Sequence, residues 1–311
     1  MTAVLVEPPV KGPQRAPRAT EIVGVPRARR IVLQLFLAAV AVLWLIPMAT
    51  ALYSSFRYFE SDSQINGVFS LPKTLTLDNY RQAWRVGAIW SHFGNTMFIV
   101  IPSLFFILLL SSMVAFACTR FSWRFNLFFL VLFTAGNLMP QQVIFQPLFQ
   151  IFKKTPWPDL LSDANSGHLL GSKVAVIFIH VAFQTGFCTF VLSNYMKTIP
   201  KELTEAAMVD GASVPRQYFQ IILPLCRPAF AALATLEFTW LYNDFFWGAV
   251  LLNQGDQRPI TSSIAVLNGQ YASDYNLIAA ASMMIALPTL AVYIALQKHF
   301  ISGLTLGANK G

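Results

Sequence analysis

Six long apolar stretches, separated by short polar segments, constrain this chain more than any other feature of its sequence. Each is close to the ~20 residues that cross ~30 Å of hydrocarbon as an α-helix. Because unpaired backbone groups are not tolerated in lipid, stretches of this length predict helices rather than strands or loops. Pro140 and Pro147 predict that the third helix is kinked or broken. The predicted spans are residues 31–53, 93–118, 125–152, 174–196, 229–252 and 277–296.

The composition excludes soluble and disordered chains. Apolar residues make up 55% of the 311 residues and charged residues only 12%, whereas soluble domains carry about 25% charged residues. A mean hydropathy of +0.54 is too high for a disordered chain. The sequence therefore predicts an all-α polytopic membrane protein with six transmembrane helices. Cys118, Cys188 and Cys226 are too few for a disulfide framework and are expected to be ordinary thiols.

The first 30 residues differ from the rest of the chain. Five prolines and six basic residues within 1–30 predict a disordered basic tail. It precedes a transmembrane domain over 31–311, whose core spans about 91–297. Ala49-Thr50-Ala51 resembles a signal-peptide cleavage site, but the apolar run before it is longer than the ~7–15 residues of a signal peptide. We therefore expect the first helix to remain uncleaved.

The distribution of basic residues predicts the orientation. With the N-terminus inside, the segments on the inner side hold 14 of the Lys and Arg residues and those on the outer side hold 8. This bias predicts that both termini lie in the cytoplasm. Cytoplasmic basic residues facing anionic lipid account for the net charge of +8, so no nucleic-acid partner is expected.

The cytoplasmic segment 197–227, between the fourth and fifth spans, carries the clearest helix signals outside the membrane. Thr198 is expected to cap a first short helix, with Pro200 in its first turn. Gly211 is expected to end that helix in the left-handed conformation. Ser213 is expected to cap a second helix, which Pro224 ends. The pattern therefore predicts a protruding pair of short helices.

Each helix of this pair also carries a periodic face. In the first, the shared face holds Leu203, Ala206, Ala207 and Asp210; in the second, an apolar stripe holds Tyr218, Ile221, Ile222 and Leu225. An amphipathic pair lying on the lipid surface would show the same periodicity. The pattern alone leaves both interpretations open.

At this point the residues resemble a known family. Glu205-Ala206-Ala207, then Gly211, Ile221 and Leu223-Pro224 have the spacing E-A-A-x(3)-G-x(9)-I-x-L-P. This pattern is similar to the EAA loop of permease subunits in bacterial ABC importers. The resemblance implies the MetI-like permease fold and a loop that docks into a cleft of a separate ATPase subunit. The implied coupling residues are Glu202, Glu205, Ala206, Ala207, Asp210, Gly211, Ala212, Ser213, Ile221, Leu223 and Pro224.

The resemblance extends over most of residues 70–311 and points to the carbohydrate-uptake, MalG-like branch. Its residues include Leu77-Asp78-Asn79-Tyr80, Asn95-Thr96, Gln142 to Phe149, the segment from Trp240 to Trp247, and 300–311 at the end of the chain. Residues 153–172 and the tail 1–30 do not match the family pattern. We also expect the segment 303–311 to contact the ATPase pair.

The resemblance implies a set of partners. These are a homologous second permease subunit, two copies of an ABC ATPase subunit, an extracytoplasmic solute-binding protein, membrane lipid and a carbohydrate substrate. ATP and Mg are expected on the ATPase subunits, and no cofactor is expected in this chain. The implied location is the bacterial inner membrane, with several crossings.

Polar residues inside the predicted spans are candidates for the substrate path, because charges in a membrane usually face a cavity or a partner helix. Glu237 and Asp244 lie seven residues apart on one face of the fifth span, and Gly248 continues it. Aromatic rings such as Trp240 and Trp247 can stack on sugars. The expected path residues are Asn243, Asp244, Trp240, Glu237 and Gln184. Bundle hydrogen bonding is the favoured interpretation for the weaker set of Asn137, Gln141, Gln142, Gln146, His180 and Gln184.

Several motifs are absent from the sequence. It contains no G-x(4)-G-K-[ST] motif, no H-E-x-x-H motif and no cysteine-pair metal site, so ATP binding, metal binding and enzymatic activity are not expected. An ion-coupled secondary carrier that uses Glu237 and Asp244 is the main alternative, but it leaves the cytoplasmic motif unexplained. Within the importer class, the solute could also be a polyol or a glycerol phosphate, because no residue distinguishes these from a sugar.

Overall fold

The computed structural model describes residues 27–57, 74–121, 123–136, 140–158, 167–252, 257–264 and 274–305. Within these ranges the regular structure is helical, apart from two isolated antiparallel bridges, Arg57–Leu75 and Pro156–His168. The helices are α1 (Arg27–Ser55), α2 (Asp78–Val86), α3 (Ile89–Arg120), α4 (Asn126–Ala135), α5 (Phe145–Lys154), α6 (Lys173–Met196), α7 (Glu202–Val209), α8 (Val214–Leu225), α9 (Arg227–Tyr242), α10 (Phe246–Leu251) and α11 (Tyr275–Thr305).

Four of the described helices are long and apolar enough to cross a membrane, namely α1, α3, α6 and α11. They coincide with the first, second, fourth and sixth predicted spans. The pair α8 and α9, bent by 73° at Cys226, counts as a fifth candidate if it is taken as one broken span. The described chain is therefore an all-α polytopic membrane protein with four or five candidate spans.

The third predicted span, 125–152, is not one continuous helix. α4 ends at Ala135, a 3₁₀ turn follows over Gln141–Ile144, and α5 begins at Phe145. Pro140 stands directly before the 3₁₀ turn, and Pro147 lies in the first turn of α5, where a missing amide donor breaks no helical hydrogen bond. The predicted break is confirmed. Asn137 lies outside the described residues.

The fifth predicted span, 229–252, also consists of two helices, and its prediction as one helix was wrong. α9 ends at Tyr242, and α10 begins only at Phe246. The Asp244 carboxylate accepts hydrogen bonds from the Trp247 amide at 3.5 Å and the Gly248 amide at 3.3 Å. Asp244 therefore caps the start of α10, and this local bonding competes with continuation of α9.

The described residues divide into two compact units, one up to Thr50 and one from Ala51 onward. The second unit is organised around α3, which packs along α6, and α9, which packs along α11 and also contacts α3. Their facing side chains form the main apolar core. A second apolar cluster lies between the first half of α3, the end of α5, the start of α6 and α10.

The start of the described chain bears on the predicted tail. α1 begins at Arg27, within the range that was expected to be a disordered tail. Residues 1–26 lie outside the described residues, as do 159–166 of the segment 153–172 and residues 306–311 at the end of the chain.

Candidate functional site

The helical pair predicted in segment 197–227 is present as α7 and α8. Gly211, at the end of α7, has a φ of +77°, as the sequence predicts. The Gly211 amide donates to the Met208 carbonyl at 3.1 Å, and the Ala212 amide donates to the Ala207 carbonyl at 2.9 Å. These two bonds form a Schellman motif, which satisfies the last carbonyls of α7 and turns the chain sharply into α8.

Neither of the two predicted side-chain N-caps forms a capping hydrogen bond. Lys201, not Thr198, stands at the N-cap of α7, and the Thr198 hydroxyl donates to the Tyr195 carbonyl at 2.8 Å instead. Ser213 occupies the N-cap position of α8, but its side chain makes no capping hydrogen bond. Pro200 precedes the first helical turn instead of lying within it.

Pro224 does not end α8 as predicted. The helix widens into a π-helical turn over Gln217–Ile222 and continues to Leu225, where the chain bends into α9. A proline lacks the amide hydrogen that an ordinary α-helical turn needs at that position, and a widened turn removes this requirement. The bend of 73° therefore falls two residues after the proline, at Cys226.

α8 packs against α3 through the buried residues of its predicted apolar stripe. Tyr218 and Ile222 are buried, whereas Leu225 remains 43% exposed. The Tyr218 hydroxyl is hydrogen-bonded to the Ser112 hydroxyl at 2.6 Å, and its ring packs against Phe116 with a centroid distance of 5.3 Å. A buried and satisfied polar contact of this kind fixes one arrangement of α8 on α3.

The predicted face of α7 is divided between the interior and the surface. Ala207 is buried with Thr204, whereas Leu203, Ala206 and Asp210 are exposed. We call residues 202–214 the α7–α8 tip. Its exposed apolar side chains are Leu203 (44%), Met208 (60%), Val209 (89%) and Val214 (47%). Its acidic residues Glu202, Glu205 and Asp210 are also exposed.

A second anchor holds the base of the α7–α8 tip. The Arg120 guanidinium, at the end of α3, donates to the Met196 carbonyl at 2.9 Å and the Ile199 carbonyl at 3.2 Å. These carbonyls belong to the end of α6 and the turn after it, where helical partners run out. In the sequence, Arg120 is only one of the basic residues that predict the orientation. Its role in joining α3 to the base of the tip was missed.

The intramembrane polar residues lie mainly between α6 and α9. Glu237 is fully buried, and its Oε1 accepts a hydrogen bond from the Cys188 thiol at 3.3 Å. Gln184 is one turn from Cys188 and is 5% exposed. Within the described chain, Glu237 Oε2 and Gln184 Oε1 have no hydrogen-bond partner. Neither side chain therefore faces an open surface of this subunit.

Asp244 stabilises the break in the fifth predicted span. Besides capping α10, its carboxylate lies 3.8 Å from His180 Nε2 of α6. The Asp244 carbonyl accepts a hydrogen bond from the Thr261 hydroxyl. The next turn is held by Trp247, whose indole N–H donates to Gln141 Oε1 at 3.1 Å. Gln141 thus acts in bundle bonding, as expected for the weaker polar set, whereas His180 Nε2 has no hydrogen-bond partner within the described chain.

Two of the expected path residues are exposed. Trp240 is 56% exposed and stacks on Phe187 of α6, with ring centroids 6.4 Å apart. Asn243 is exposed at the end of α9, where its side-chain amide donates to the Thr239 carbonyl at 2.8 Å. The structure thus separates the five residues into an exposed pair and three that are enclosed by α6, α9 and α10. Phe187 was missed, because a single phenylalanine in an apolar span carries no signal.

The Asn95-Thr96 pair, singled out by the sequence, joins the start of α3 to the segment before α11. Asn95 Nδ2 donates to the Arg258 carbonyl at 3.2 Å, and the Ile260 amide donates to Thr96 Oγ1 at 2.8 Å. Lys173, at the start of α6, donates to Asn95 Oδ1 at 3.1 Å. The pair is therefore a junction of three elements.

The described part of the chain contains no group of three or more His, Cys, Asp or Glu residues that could hold a metal ion. The described acidic residues are spread over the chain: Asp78 and the three carboxylates of the α7–α8 tip are exposed, Glu237 is fully buried, and Asp244 and Asp274 are partly buried.

Comparison with known proteins identifies the family. Residues 107–304 match the model of the binding-protein-dependent transport system inner membrane component. A probable ABC transporter permease protein of Pyrococcus horikoshii is 30% identical over 279 residues, covering 89% of this chain and 96% of that protein. The arabinooligosaccharides transport system permease protein AraQ of Halalkalibacterium halodurans is 32% identical over 279 residues, covering 89% and 94%.

The fold is shared with a solved transporter. A chain in the crystal structure of a bacterial ABC transporter involved in the import of the acidic polysaccharide alginate matches with a TM-score of 0.71 and 22% identity, covering 89% of this chain and 99% of that one. The resemblance inferred from the EAA-type spacing is thereby confirmed, and the ion-coupled carrier is set aside. The chain belongs to the family of binding-protein-dependent transport inner membrane components, as a non-catalytic, multi-pass subunit of an ABC importer.

Proposed function

We propose that this permease subunit carries a carbohydrate across the membrane. The relative AraQ is named for arabinooligosaccharides, and the structural match belongs to an importer of alginate. The two exposed path residues support this cargo, because an indole face stacks on sugar rings and an amide can hydrogen-bond to sugar hydroxyls. Trp240 and Asn243 are the proposed contacts. Asp244, Glu237 and Gln184 are proposed to support this surface from behind.

We propose that transport is driven by ATPase subunits that dock on the α7–α8 tip. The observation that carries this proposal is the exposure of Leu203, Met208 and Val209 on a tip whose base is anchored twice to α3. Exposed apolar side chains that are clustered in this way mark a site of protein interaction. The proposed contacts are Glu202, Glu205, Ala206, Asp210, Gly211, Ala212 and Ser213 of the motif, with Leu203, Met208 and Val209 added. Ala207, Ile221, Leu223 and Pro224 are proposed to hold the tip in shape.

The proposed complex contains two ATPase subunits, a homologous second permease and an extracytoplasmic solute-binding protein. The family is dependent on a binding protein by description. In this assembly the chain crosses the membrane six times with both termini in the cytoplasm. α4 with α5 forms the broken third crossing, and α9 with α10 forms the fifth. α8 then lies on the cytoplasmic side, in keeping with its polar residues Arg216, Gln217 and Gln220.

Nucleotide binding can move the helices only through a difference in affinity between the two states of the transporter. We propose that closure of the ATPase pair displaces the α7–α8 tip, and that the two anchors pass this motion to α3 and α6. The contact expected for the segment 303–311 remains a prediction, because residues 306–311 lie outside the described chain.

The docking proposal is tested with the whole complex purified from cells. The variant Val209→Asp places a charge on the most exposed apolar residue of the tip, and we expect it to lose most of the co-purifying ATPase subunit and ATP-driven uptake. Leu75→Asp is the control, because Leu75 is 69% exposed but lies far from the tip in the chain. Equal ATPase recovery from both variants and the unmodified complex would refute the docking proposal.

A panel of radiolabelled sugars and polyols then identifies the cargo.

A further inference from the structure

Three adjoining cavities surround the start of α4. The largest of the three, about 430 Å³, lies between the last turns of α3 and the side of α4. Ala117, Phe121, Trp123 and Phe129 are among the residues that line it. The second, about 240 Å³, contains Thr119, Ser193 and Lys197. The third, about 280 Å³, lies between α4 and α6 and is lined mainly by aliphatic residues and Phe190. We call the three together the α4 groove.

The cavities form a continuous series. The first and second share Cys118 and Asn126, and the second and third share Leu127 and Leu130. The α4 groove therefore has a polar centre with an apolar wing on each side. α4 itself has no buried residue, so much of its apolar surface is available to an occupant. A polar centre between two apolar wings matches a molecule with one polar head and two hydrocarbon chains.

The charge of the α4 groove favours a negative head. Lys197 lines the central cavity, and Arg124 lies just before α4 with its guanidinium 4.5 Å from the centroid of Phe125. The sequence has no carboxylate between Asp78 and Asp159, and none between 163 and 202. These gaps contain α3, α4 and α6, the three helices that form the groove. The helices that line the groove therefore contribute no carboxylate to it, which favours a phosphate beside Lys197.

The position of the α4 groove in the chain also fits a lipid. Trp123 is 54% exposed and stacks on Phe129 with a centroid distance of 5.3 Å, in a segment with Arg120 and Arg124. Aromatic and basic residues together are typical of the cytoplasmic membrane boundary. Basic pockets between transmembrane helices on that side bind anionic lipid headgroups.

We propose that the α4 groove is a binding site for one anionic glycerophospholipid. The phosphate lies in the central cavity beside Lys197, with Arg124 strengthening the positive field, and one acyl chain occupies each apolar wing. The site adjoins the base of the α7–α8 tip, because Lys197 follows directly after α6 and Arg120 holds that turn. This proposal does not depend on the identity of the cargo.

The test uses the complete purified complex in phosphatidylcholine nanodiscs that contain a trace of photoreactive phosphatidylglycerol. Labelled peptides are mapped by mass spectrometry. We expect label on α4 and on the end of α6, reduced about tenfold in the double variant Arg124→Gln with Lys197→Gln. The matched control, Lys153→Gln with Lys154→Gln, removes two basic residues at the end of α5 and is expected to keep the label.

A second variant tests the apolar wing. Ala117 is exposed in the largest cavity, so Ala117→Trp fills that wing without displacing buried residues and is expected to reduce the label while keeping both charges. A photoreactive phosphatidylcholine that labels α4 as strongly as phosphatidylglycerol would overturn the proposal, because the groove would then contact bulk lipid only. A cross-link from α4 to the second permease in place of lipid would also overturn it. Both outcomes are measured on the unmodified complex, so they hold even if a variant fails to assemble.

Discussion

Single polar side chains satisfy the last carbonyls of a helix in the interior of this protein, where water cannot bond to them. Asn79 is 5% exposed, and its side-chain amide donates to the Ser55 carbonyl at 2.9 Å and the Arg57 carbonyl at 2.7 Å. Tyr80 adds a bond from its hydroxyl to the Ser55 hydroxyl at 2.7 Å. Asn79 and Tyr80, which the sequence showed only as part of a family resemblance, thus bond to the end of α1.

Replacing Asn79 tests this closure. Asn79→Ala leaves two carbonyls without their donor, and an unsatisfied buried polar group costs about 1–3 kcal/mol. We expect a lower melting temperature of the purified subunit in detergent. Arg81→Ala is the control, since the exposed Arg81–Asp78 ion pair contributes little to stability. Equal melting temperatures for the two variants would contradict the assigned role of Asn79.

Gly248 and Gly94 differ in what surrounds them, and this difference predicts opposite effects of alanine. A Cβ at Gly248 would lie 2.7 Å from Cγ of Pro259, whereas a Cβ at Gly94 would meet nothing within 4 Å. Gly248→Ala is expected to force α10 away from Pro259 and to lower the melting temperature. Gly94→Ala is expected to stabilise α3 by about 0.5–1 kcal/mol through helix propensity. Thermal unfolding of both variants decides the matter, and a loss of stability with Gly94→Ala alone would refute the packing argument.

At the scale of elements, the sequence predicted the straight helices better than the breaks. α3, α6 and α11 follow from uninterrupted apolar runs, whose length alone requires a helix in lipid. The break at Asn243–Phe245 was not predicted, because it depends on the Asp244 carboxylate accepting hydrogen bonds from backbone amides of the next turn. A hydropathy pattern does not show which hydrogen bonds a single side chain makes. The break near Pro140 was predicted from Pro140 and Pro147, but a proline alone does not decide a break, because Pro102 and Pro288 lie inside the continuous helices α3 and α11.

The turn between α7 and α8 is the element with the sharpest sequence signature. Gly211 was predictable as a left-handed residue, because few other residues adopt positive φ without strain. The division of the α7 face was not, because Ala206 and Ala207 are chemically identical and only tertiary packing buries one of them. The exposed Met208 and Val209 were likewise missed, since apolar residues off the predicted face were not considered.

Two substitutions in this turn are predicted to uncouple transport. Gly211→Pro cannot adopt a φ of +77° and loses the amide that bonds to Met208. Ala207→Phe places a large ring at a buried position, where overpacking costs about 1–3 kcal/mol. Both variants are expected to insert in the membrane at normal yield but to lose most ATP-driven uptake. Gly136→Ala is the control, because nothing lies within 4 Å of that site. Normal uptake together with normal ATPase recovery in both variants would show that the turn is not needed.

At the scale of the whole molecule, hydrogen bonds on both sides of the α7–α8 tip join it to the transmembrane bundle within the second compact unit. Arg120 of α3 holds the turn before the tip, and Tyr218 holds α8 to α3 just after the tip. The Tyr242 hydroxyl, which donates to the Ile285 carbonyl at 3.0 Å, connects α9 to α11. Movement of the tip can therefore displace the helices that are joined to it. Long-range contacts of this kind carry no sequence pattern, which explains why the motif was predictable but its anchors were not.

The most direct test of ATP-driven coupling is cross-linking from the α7–α8 tip in the intact complex. In a Cys118→Ser background, which removes the one native thiol that is partly exposed, Val209→Cys introduces a thiol at the most exposed apolar position of the tip, and native Cys188 and Cys226 are buried. A short bifunctional maleimide is predicted to join this thiol to the ATPase subunit, with a yield that changes when ATP is added, and uptake is predicted to stop when the ATPase is removed. Labelling of Val209→Cys from outside intact cells by an impermeant maleimide, or uptake that persists without the ATPase, would contradict the account.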